Sequence, residues 1–404
     1  MADATQFDDI RPYHDDEAVA ALGGVVADRE FIDLMGELRA PRLYKRIHLL
    51  ARPLLRAWLN WRSKKIDSIA DVQLVAETYL ARVIDQTTAG FSVHGLSKLD
   101  LNSPHLFMSN HRDITLDPAL TNYALHHNGG NTLRIAIGDN LLTKPFAAAL
   151  MRLNKSFVVR RSIAKPRELL AALKTLSNYI WHSLHVDREN VWIAHREGRA
   201  KHGFDRSEPA IIKMLALAKP KETPFAEYIN CLGIIPVSIS YEYDPCDALK
   251  AREIRLLSQT RSYDKYEHED FDSISVGITG FKGKIDLVFG APLVTQSNDA
   301  DAVARELDAC IVRNYRLHAT NALAYASLYG EDAWHKAQAA LHASEPDNPI
   351  PEAAHGQRAE FAARINAIAE EDRDMALHMY ANPVLHKLYF IDASAHPLPA
   401  VAAT

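Results

Sequence analysis

The sequence predicts an α/β fold: a mostly buried mixed central sheet flanked by helices, with helical N- and C-terminal additions. Three observations predict it. From about Ser92 to Leu293, short apolar runs alternate with helical stretches, the order from which layered α/β folds are built. Before and after that span, apolar residues recur at helical spacing. At 404 residues, the chain can hold one large domain with additions, or two domains.

Taken in order, residues 1–90 read as a helical region containing an unusual segment. From Arg42 to Lys65, "RLYKRIHLLARPLLRAWLNWRSKK" holds eight Lys or Arg and no acid, in a chain whose net charge is -5. Leu49, Leu50, Leu54, Leu55, Trp58 and Trp61 give it an apolar side, and Pro53 is expected to break or kink it. Basic residues with Leu and Trp at helical spacing are the composition of a helix lying in a membrane interface. A core-packed helix with a solvated basic face has the same composition.

Residues 91–296 read as the sheet domain. Its strands are "HLFMSN", "TLRIAIG", "SFVVRR", "NVWIAHR", "GIIPVSISY" and "KIDLVFG", with helices including Pro166 to Leu184 and Pro209 to Ala218. Residues 297–404 read as helical. Asp299 to Tyr329 is one long helix, with Val303, Leu307, Ile311 and Tyr315 on its apolar side and Gly330 as terminator. "EPDNPIP" is a linker. Arg358 to Tyr380 is a second helix, with Phe361, Ile365, Ile368, Met375 and Met379 on one side, ended by Asn382-Pro383.

Composition narrows the function. With 48% hydrophobic and 24% charged residues, the chain is an ordinary globular one, and its charge gives no reason to expect nucleic acid. Cys231, Cys246 and Cys310 are too far apart for a metal cluster or a disulfide framework, so no metal is expected. "MADATQFDDIRPYHDDE" lacks the basic start and apolar core of a secretory signal. No run of about 18 apolar residues is present to span a membrane.

"MSNHRDITLDPAL", Met108 to Leu120, contains His-Arg-Asp, the opening of a protein-kinase catalytic loop. A kinase needs Asn five residues after that Asp; here Pro118 stands there. The sequence has no G-x-G-x-x-G, no Asp-Phe-Gly and no Walker pattern, which excludes the nucleotide-binding parts of a kinase.

The same stretch suits proton transfer. "HLFMSN" should be a strand ending just before His111, and Asp117-Pro118 a helix start, with Asp as cap and Pro in the first turn. His111 then sits on a strand-to-helix loop, with Asp113 and Asp117 close by. A carboxylate bonded to one imidazole nitrogen fixes the tautomer and strengthens the other nitrogen as a base. Three further blocks follow. "NKSFVVRRS" is a strand ending in Arg160 and Arg161, and "VWIAHREGRAKHG" a strand ending in Glu197-Gly198-Arg199 with Lys201 beyond. "LGIIPVSISYE" contains Ile235-Pro236-Val237. Cations at strand ends, beside a glycine that lets backbone approach, suit an anionic substrate such as a phosphate.

N-H-x(5)-D, F-x-x-R, E-G-x-x-K and I-P-V, in that order, resemble the four blocks of the phospholipid/glycerol acyltransferase family, which includes the glycerol-3-phosphate and 1-acylglycerol-3-phosphate acyltransferases. The resemblance covers roughly Ser92 to Leu293, and so makes 91–296 the catalytic domain. It implies that His111 is the general base and Asp117 its orienting acid. Here five residues separate them where the family has four, so Asp113 is a rival. It further implies substrate-binding roles for Arg160 or Arg161, Glu197, Gly198, Arg199 or Lys201, and Pro236. The implied reaction moves a fatty acyl chain from acyl-CoA or acyl carrier protein, as co-substrate, to a hydroxyl of glycerol 3-phosphate or 1-acylglycerol 3-phosphate. No cofactor is implied. The enzyme would sit at the inner face of the cytoplasmic membrane, held through 42–65. Another lyso-lipid acceptor, or a lipid-binding protein with a decayed site, are the alternatives.

Overall fold

A computed structural model describes residues 4–260, 263 and 269–399. It contains seven strands: β1 (Gly90–His94), β2 (Leu106–Ser109), β3 (Leu133–Gly138), β4 (Ser156–Val159), β5 (Asn190–Ala194), β6 (Ile234–Tyr241) and β7 (Lys284–Phe289). They form one sheet in the order β1-β7-β6-β2-β5-β3-β4. Both parallel and antiparallel pairs occur, so the expected mixed α/β sheet is present. By contacts the chain divides into two compact units, residues 1–80 with 133–191, and 81–132 with 192–404.

In the first unit, helices Asp15–Ala27, Arg29–Arg39 and Pro41–Ser63 follow one another closely. Asp28 caps the second through the Phe31 N–H, and Pro41 opens the third. Ala18, Leu22, Val25, Ile32, Leu59 and Leu153 form the core here. Asp33 fastens the second helix to the third: its carboxylate accepts from Tyr44 Oη at 2.7 Å and from Arg52 Nε and Nη2 at 2.8 and 2.9 Å. Pro53 lies inside the third helix without ending it. The side chains of Arg42 and Lys45, and residues 1–3, fall outside the described set. In the same unit β3 and β4 pair in parallel, Ile135 opposite Ser156, around the crossover helix Pro145–Leu153.

In the second unit β1 runs parallel to β7, β7 antiparallel to β6, and β6 parallel to β2. Every residue of β6 is buried, as expected of a strand covered on both faces. Pro236 is tolerated because the β6–β7 ladder begins only at Val237. β1 was not among the runs read from the sequence; "GFSVH" is only half-buried and its pattern is correspondingly weak.

The C-terminal helices are more broken than their periodicity suggests. Asp299 to Tyr329 is two helices, Ala300–Asn314 and Ala319–Tyr329. Between them Tyr315 turns to extended backbone and His318 caps the second helix, its N–H donating to Asn321 Oδ1 at 2.7 Å. Arg358 to Tyr380 is also two, Gln357–Ala367 and Arg373–Ile391, with extended backbone at Ile368. Arg373 supplies the missing partners at that break, donating to the carbonyls of Ile368 and Asn366. Asn382-Pro383 does not end the last helix but lies inside it. Residues 400–404 are outside the described set.

Candidate active site

His111 and its surroundings lie within the second unit. β2 ends at Ser109, and the chain then turns sharply through Asn110, His111, Arg112 and Asp113 into helix Leu116–His127. The buried Asn110 side chain extends the β2–β6 ladder by one step. Its Oδ1 accepts the Ile239 N–H at 2.8 Å, and its Nδ2 donates to the Ile239 carbonyl at 3.0 Å. That fixes the point at which the loop leaves the sheet.

Asp117 is not the helix cap expected from the sequence. The helix starts at Leu116 with Thr115 before it, and Asp117 is in its first turn, facing back into the loop. One oxygen, Oδ2, accepts from His111 Nδ1 at 2.9 Å and from the backbone N–H groups of Arg112 and Asp113 at 2.6 and 2.9 Å. The other, Oδ1, accepts from Tyr241 Oη at 2.8 Å. The helix N-terminus favours the negative charge held there.

Asp113, the rival, has the capping role instead. Its Oδ1 accepts from the N–H groups of Thr115 and Leu116 at 2.9 and 2.8 Å, and it packs against Gly277, where any side chain would collide with it. Burial, then the charge of Asp117, pushes its carboxyl above the usual range. The geometry therefore gives the orienting position on His111 to Asp117. With Nδ1–H donated to that carboxylate, Nε2 carries the free lone pair.

The third block is tied to the first. The Ala200 N–H donates to the His111 carbonyl at 2.8 Å, and the His195 N–H to the Ser109 carbonyl at 2.8 Å. Arg199 and Lys201 thus flank a residue bonded to His111. Arg199 donates through Nη2 to Ser273 Oγ at 3.3 Å, while its buried Nη1 has no hydrogen-bond partner among the described residues. Lys201 is ion-paired with the buried Glu253. Glu197 and Gly198 are exposed. Gly198 is needed for its φ of +70° rather than for close approach, since a Cβ there would meet nothing within 4 Å. Pro236 is buried in β6 opposite Met108, and its carbonyl accepts the Gly290 N–H at 2.8 Å; its contacts are those of the sheet.

Arg160 and Arg161 belong to the first unit, just after β4. Arg160 Nη2 lies 3.2 Å from the exposed Asp9 carboxylate, and the Arg161 N–H donates to Asp139.

Several residues that build the site were assigned no role from the sequence. Arg112 turns inward and donates through Nη2 to Asp205 Oδ2 at 2.6 Å and to the Gly203 carbonyl at 3.1 Å, with its guanidinium over the Tyr315 ring. Burial alone would lower its pKa, but Asp205 keeps the guanidinium fully charged. Lys250 donates to the Arg112 carbonyl at 2.7 Å and pairs with Asp244. His386 Nδ1 accepts the Asp205 N–H at 3.2 Å; burial, reinforced by nearby arginines, lowers its pKa to about 3, so it stays neutral.

With this geometry in view, the comparisons give a family. Residues 90–207 match the family described as Acyltransferase, and that stretch of the chain is an acyltransferase-family domain. A solved structure, the 1-acyl-sn-glycerophosphate (LPA) acyltransferase PlsC from Thermotoga maritima, is similar over 69% of this chain and 94% of its own. The identity is 13% and the TM-score 0.32, values at which the likeness carries no inference. Among curated proteins none matches.

Asp308 fastens the segment after the third block to helix Ala300–Asn314. Asp308 Oδ1 accepts the Ser207 N–H at 2.6 Å, and burial pushes its carboxyl up to about 7. An unfolded Asp titrates near 4, so between pH ~4 and ~7 the native state binds the extra proton and stability falls as pH rises. Asp308→Asn keeps the acceptor without the charge. Its stability should gain on that of the parent from pH 4.5 to 7, by at most about 1.4 kcal/mol per pH unit, seen as a melting temperature that rises relative to the parent's. Parallel melting-versus-pH curves would refute the assignment.

Proposed function

We propose that the chain transfers a fatty acyl group from a thioester, on coenzyme A or acyl carrier protein, to a hydroxyl of glycerol 3-phosphate or 1-acylglycerol 3-phosphate. The observation that carries this reading is the Asp117–His111 pair at 2.9 Å, on an acyltransferase domain. His111 Nε2 takes the acceptor hydroxyl proton as that oxygen bonds to the thioester carbonyl carbon. The tetrahedral adduct then collapses, the C–S bond breaks, and the departing thiolate receives the proton from the imidazolium. No covalent acyl-enzyme is needed. A positioned base of this kind contributes about 10²–10⁴-fold.

Arg199 is the favoured ligand for the acceptor phosphate, because one arm of its guanidinium is held by Ser273 and the other has no hydrogen-bond partner among the described residues. Lys201 has its charge engaged by Glu253. Arg160 and Arg161 remain candidates on the family blocks. The intact base pair disfavours a decayed, non-catalytic protein.

The protein is further proposed to work at an anionic bilayer, through helix Pro41–Ser63. The helix has two apolar sides. Leu55 and Leu59 pack inward on the core of the first unit. Leu43, Ile47, Leu50, Leu54, Trp58 and Trp61 form a second, exposed stripe at i, i+4, i+7, i+11, i+15 and i+18, with Leu50 75% and Leu54 73% exposed. Arg46, Arg56, Arg62, Lys64 and Lys65 accompany it. Apolar burial and attraction to anionic lipid would act together there. Arg52 is spent on Asp33. None of the described helices is long and apolar enough to cross a membrane.

Purified protein should transfer radiolabelled acyl groups to one member of an acceptor panel. His111→Ala should lower that rate by more than about 100-fold while remaining folded, and retention of more than about a tenth would rule out base catalysis by this residue. Arg199→Ala should raise the acceptor KM about tenfold or more and leave the donor KM alone, as expected for a lost bond to a charged group. An unchanged acceptor KM would remove Arg199 from the phosphate site.

For the bilayer, co-sedimentation with phosphatidylglycerol vesicles is expected, with much less on phosphatidylcholine and partial release by salt. Leu50→Ser with Leu54→Ser should weaken it while turnover of a short-chain soluble donor persists. Undiminished vesicle binding by that variant would place the attachment elsewhere.

A further inference from the structure

We propose that Tyr241 is a positioning residue of the transfer reaction, the outer member of a Tyr241–Asp117–His111 relay; this rests on the general-base reading of His111. Tyr241 closes β6. It alternates with Val237 and Ile239, so period two puts all three on one face of the strand. Its hydroxyl donates to Asp117 Oδ1 at 2.8 Å. Tyr241 is 7% and Asp117 1% exposed.

The two carboxylate oxygens have separate duties. Oδ2 is committed to the imidazole and two backbone N–H groups. Among the described residues, Tyr241 is the one hydrogen-bond donor to Oδ1. Two consequences follow. The hydroxyl locks rotation of the carboxylate, so that an Oδ2 lone pair stays directed at Nδ1. It also withdraws charge from the carboxylate and so moderates how strongly Asp117 holds the imidazolium. Tyr241 remains a donor throughout, because burial and the Asp117 charge hold its phenol well above the usual tyrosine range.

Other charged groups face this cluster from the elements around it. Arg112 and Asp113 lie on the same loop, Asp244 follows β6, and Lys250 comes from helix Asp247–Thr260. His195, Lys201 and Asp205 lie on the segment after β5. All of them remain when only the Tyr241 hydroxyl is removed, so a change on Tyr241→Phe reports that one bond.

The test is steady-state kinetics of Tyr241→Phe, below the melting transitions of both proteins. The expected result is kcat about tenfold lower, both KM values within about twofold, and the acid limb of the pH profile raised by about half a pH unit, as a more basic His111 requires. In an Asp117→Asn background, Tyr241→Phe should cost less than about a further twofold, because the two act as one unit. A hydroxyl that merely stabilised the fold would lower the melting temperature and leave kcat and the acid limb alone; that result overturns the proposal. An undiminished tenfold loss in the Asp117→Asn background overturns it equally, since Tyr241 would then act without Asp117. If His111→Ala is itself active, the base reading fails, and the relay fails with it for a reason the Tyr241 data alone would not show.

Discussion

One buried carboxylate organises the region around His111. Asp117 is 1% exposed, yet it is offered four hydrogen bonds, from an imidazole, two backbone amides and a phenol. A carboxylate that far from water is tolerated only when its lone pairs are satisfied. The two amide bonds dictate the path of the backbone from Arg112 to Asp113, and that path turns the His111 ring onto the same oxygen, which the three donors share. The shape of the loop and the orientation of the His111 ring are thus one constraint. Asp113 is placed for a different duty: its Oδ1 accepts the Thr115 and Leu116 amides that begin the helix.

A second layer holds the loop from behind. The Arg112–Asp205 pair at 2.6 Å is buried on both sides, where an ion pair yields little net stability but its disruption is costly. Its value here is geometric. It joins the residue after His111 to the segment that follows Arg199 and Lys201, and Lys250 adds a bond to the Arg112 carbonyl. Two blocks about 90 residues apart in sequence are thereby fixed as a single piece, with the Ala200–His111 backbone bond at its centre.

Much of this was legible in the sequence. The strands of the central sheet announce themselves because buried strands are short and rich in β-branched apolar residues, as "GIIPVSISY" is despite Ser238 and Ser240. His111 and Asp117 are legible because a His and an Asp stand close together where a strand run gives way to a helix start, and the structure bonds them. The helix breaks at Tyr315 and Ile368 were not legible. Apolar periodicity continues across both, and tertiary demands decide them: Tyr315 leaves its helix to lie beneath the Arg112 guanidinium. Pairing partners were equally hidden. Nothing in "GRAKHG" says that Lys201 will meet Glu253, or that one Arg199 arm will rest on Ser273.

Pro383 shows why the C-terminal helix, which lies outside residues 90–207, nonetheless belongs to the architecture of the site. A proline inside a helix has no N–H for the carbonyl four residues earlier, here Met379. That carbonyl faces Gly203, where a Cβ would come within 2.5 Å of it. Gly203 also has a φ of +89°, which a side chain would resist. Further along the same helix two side chains add bonds to that segment: Asn382 Nδ2 donates to the His202 carbonyl at 2.7 Å, and His386 accepts the Asp205 N–H. The helix therefore grips residues 202–205 through side chains at i and i+4 and through the unpaired Met379 carbonyl one turn before them. Since Asp205 in turn holds Arg112, the position of His111 is set partly by a helix that begins more than 250 residues further along the chain. The reading of Asn382-Pro383 as a helix stop failed for this reason: the proline sits where the loss of one helical bond lets the backbone of Gly203 come close.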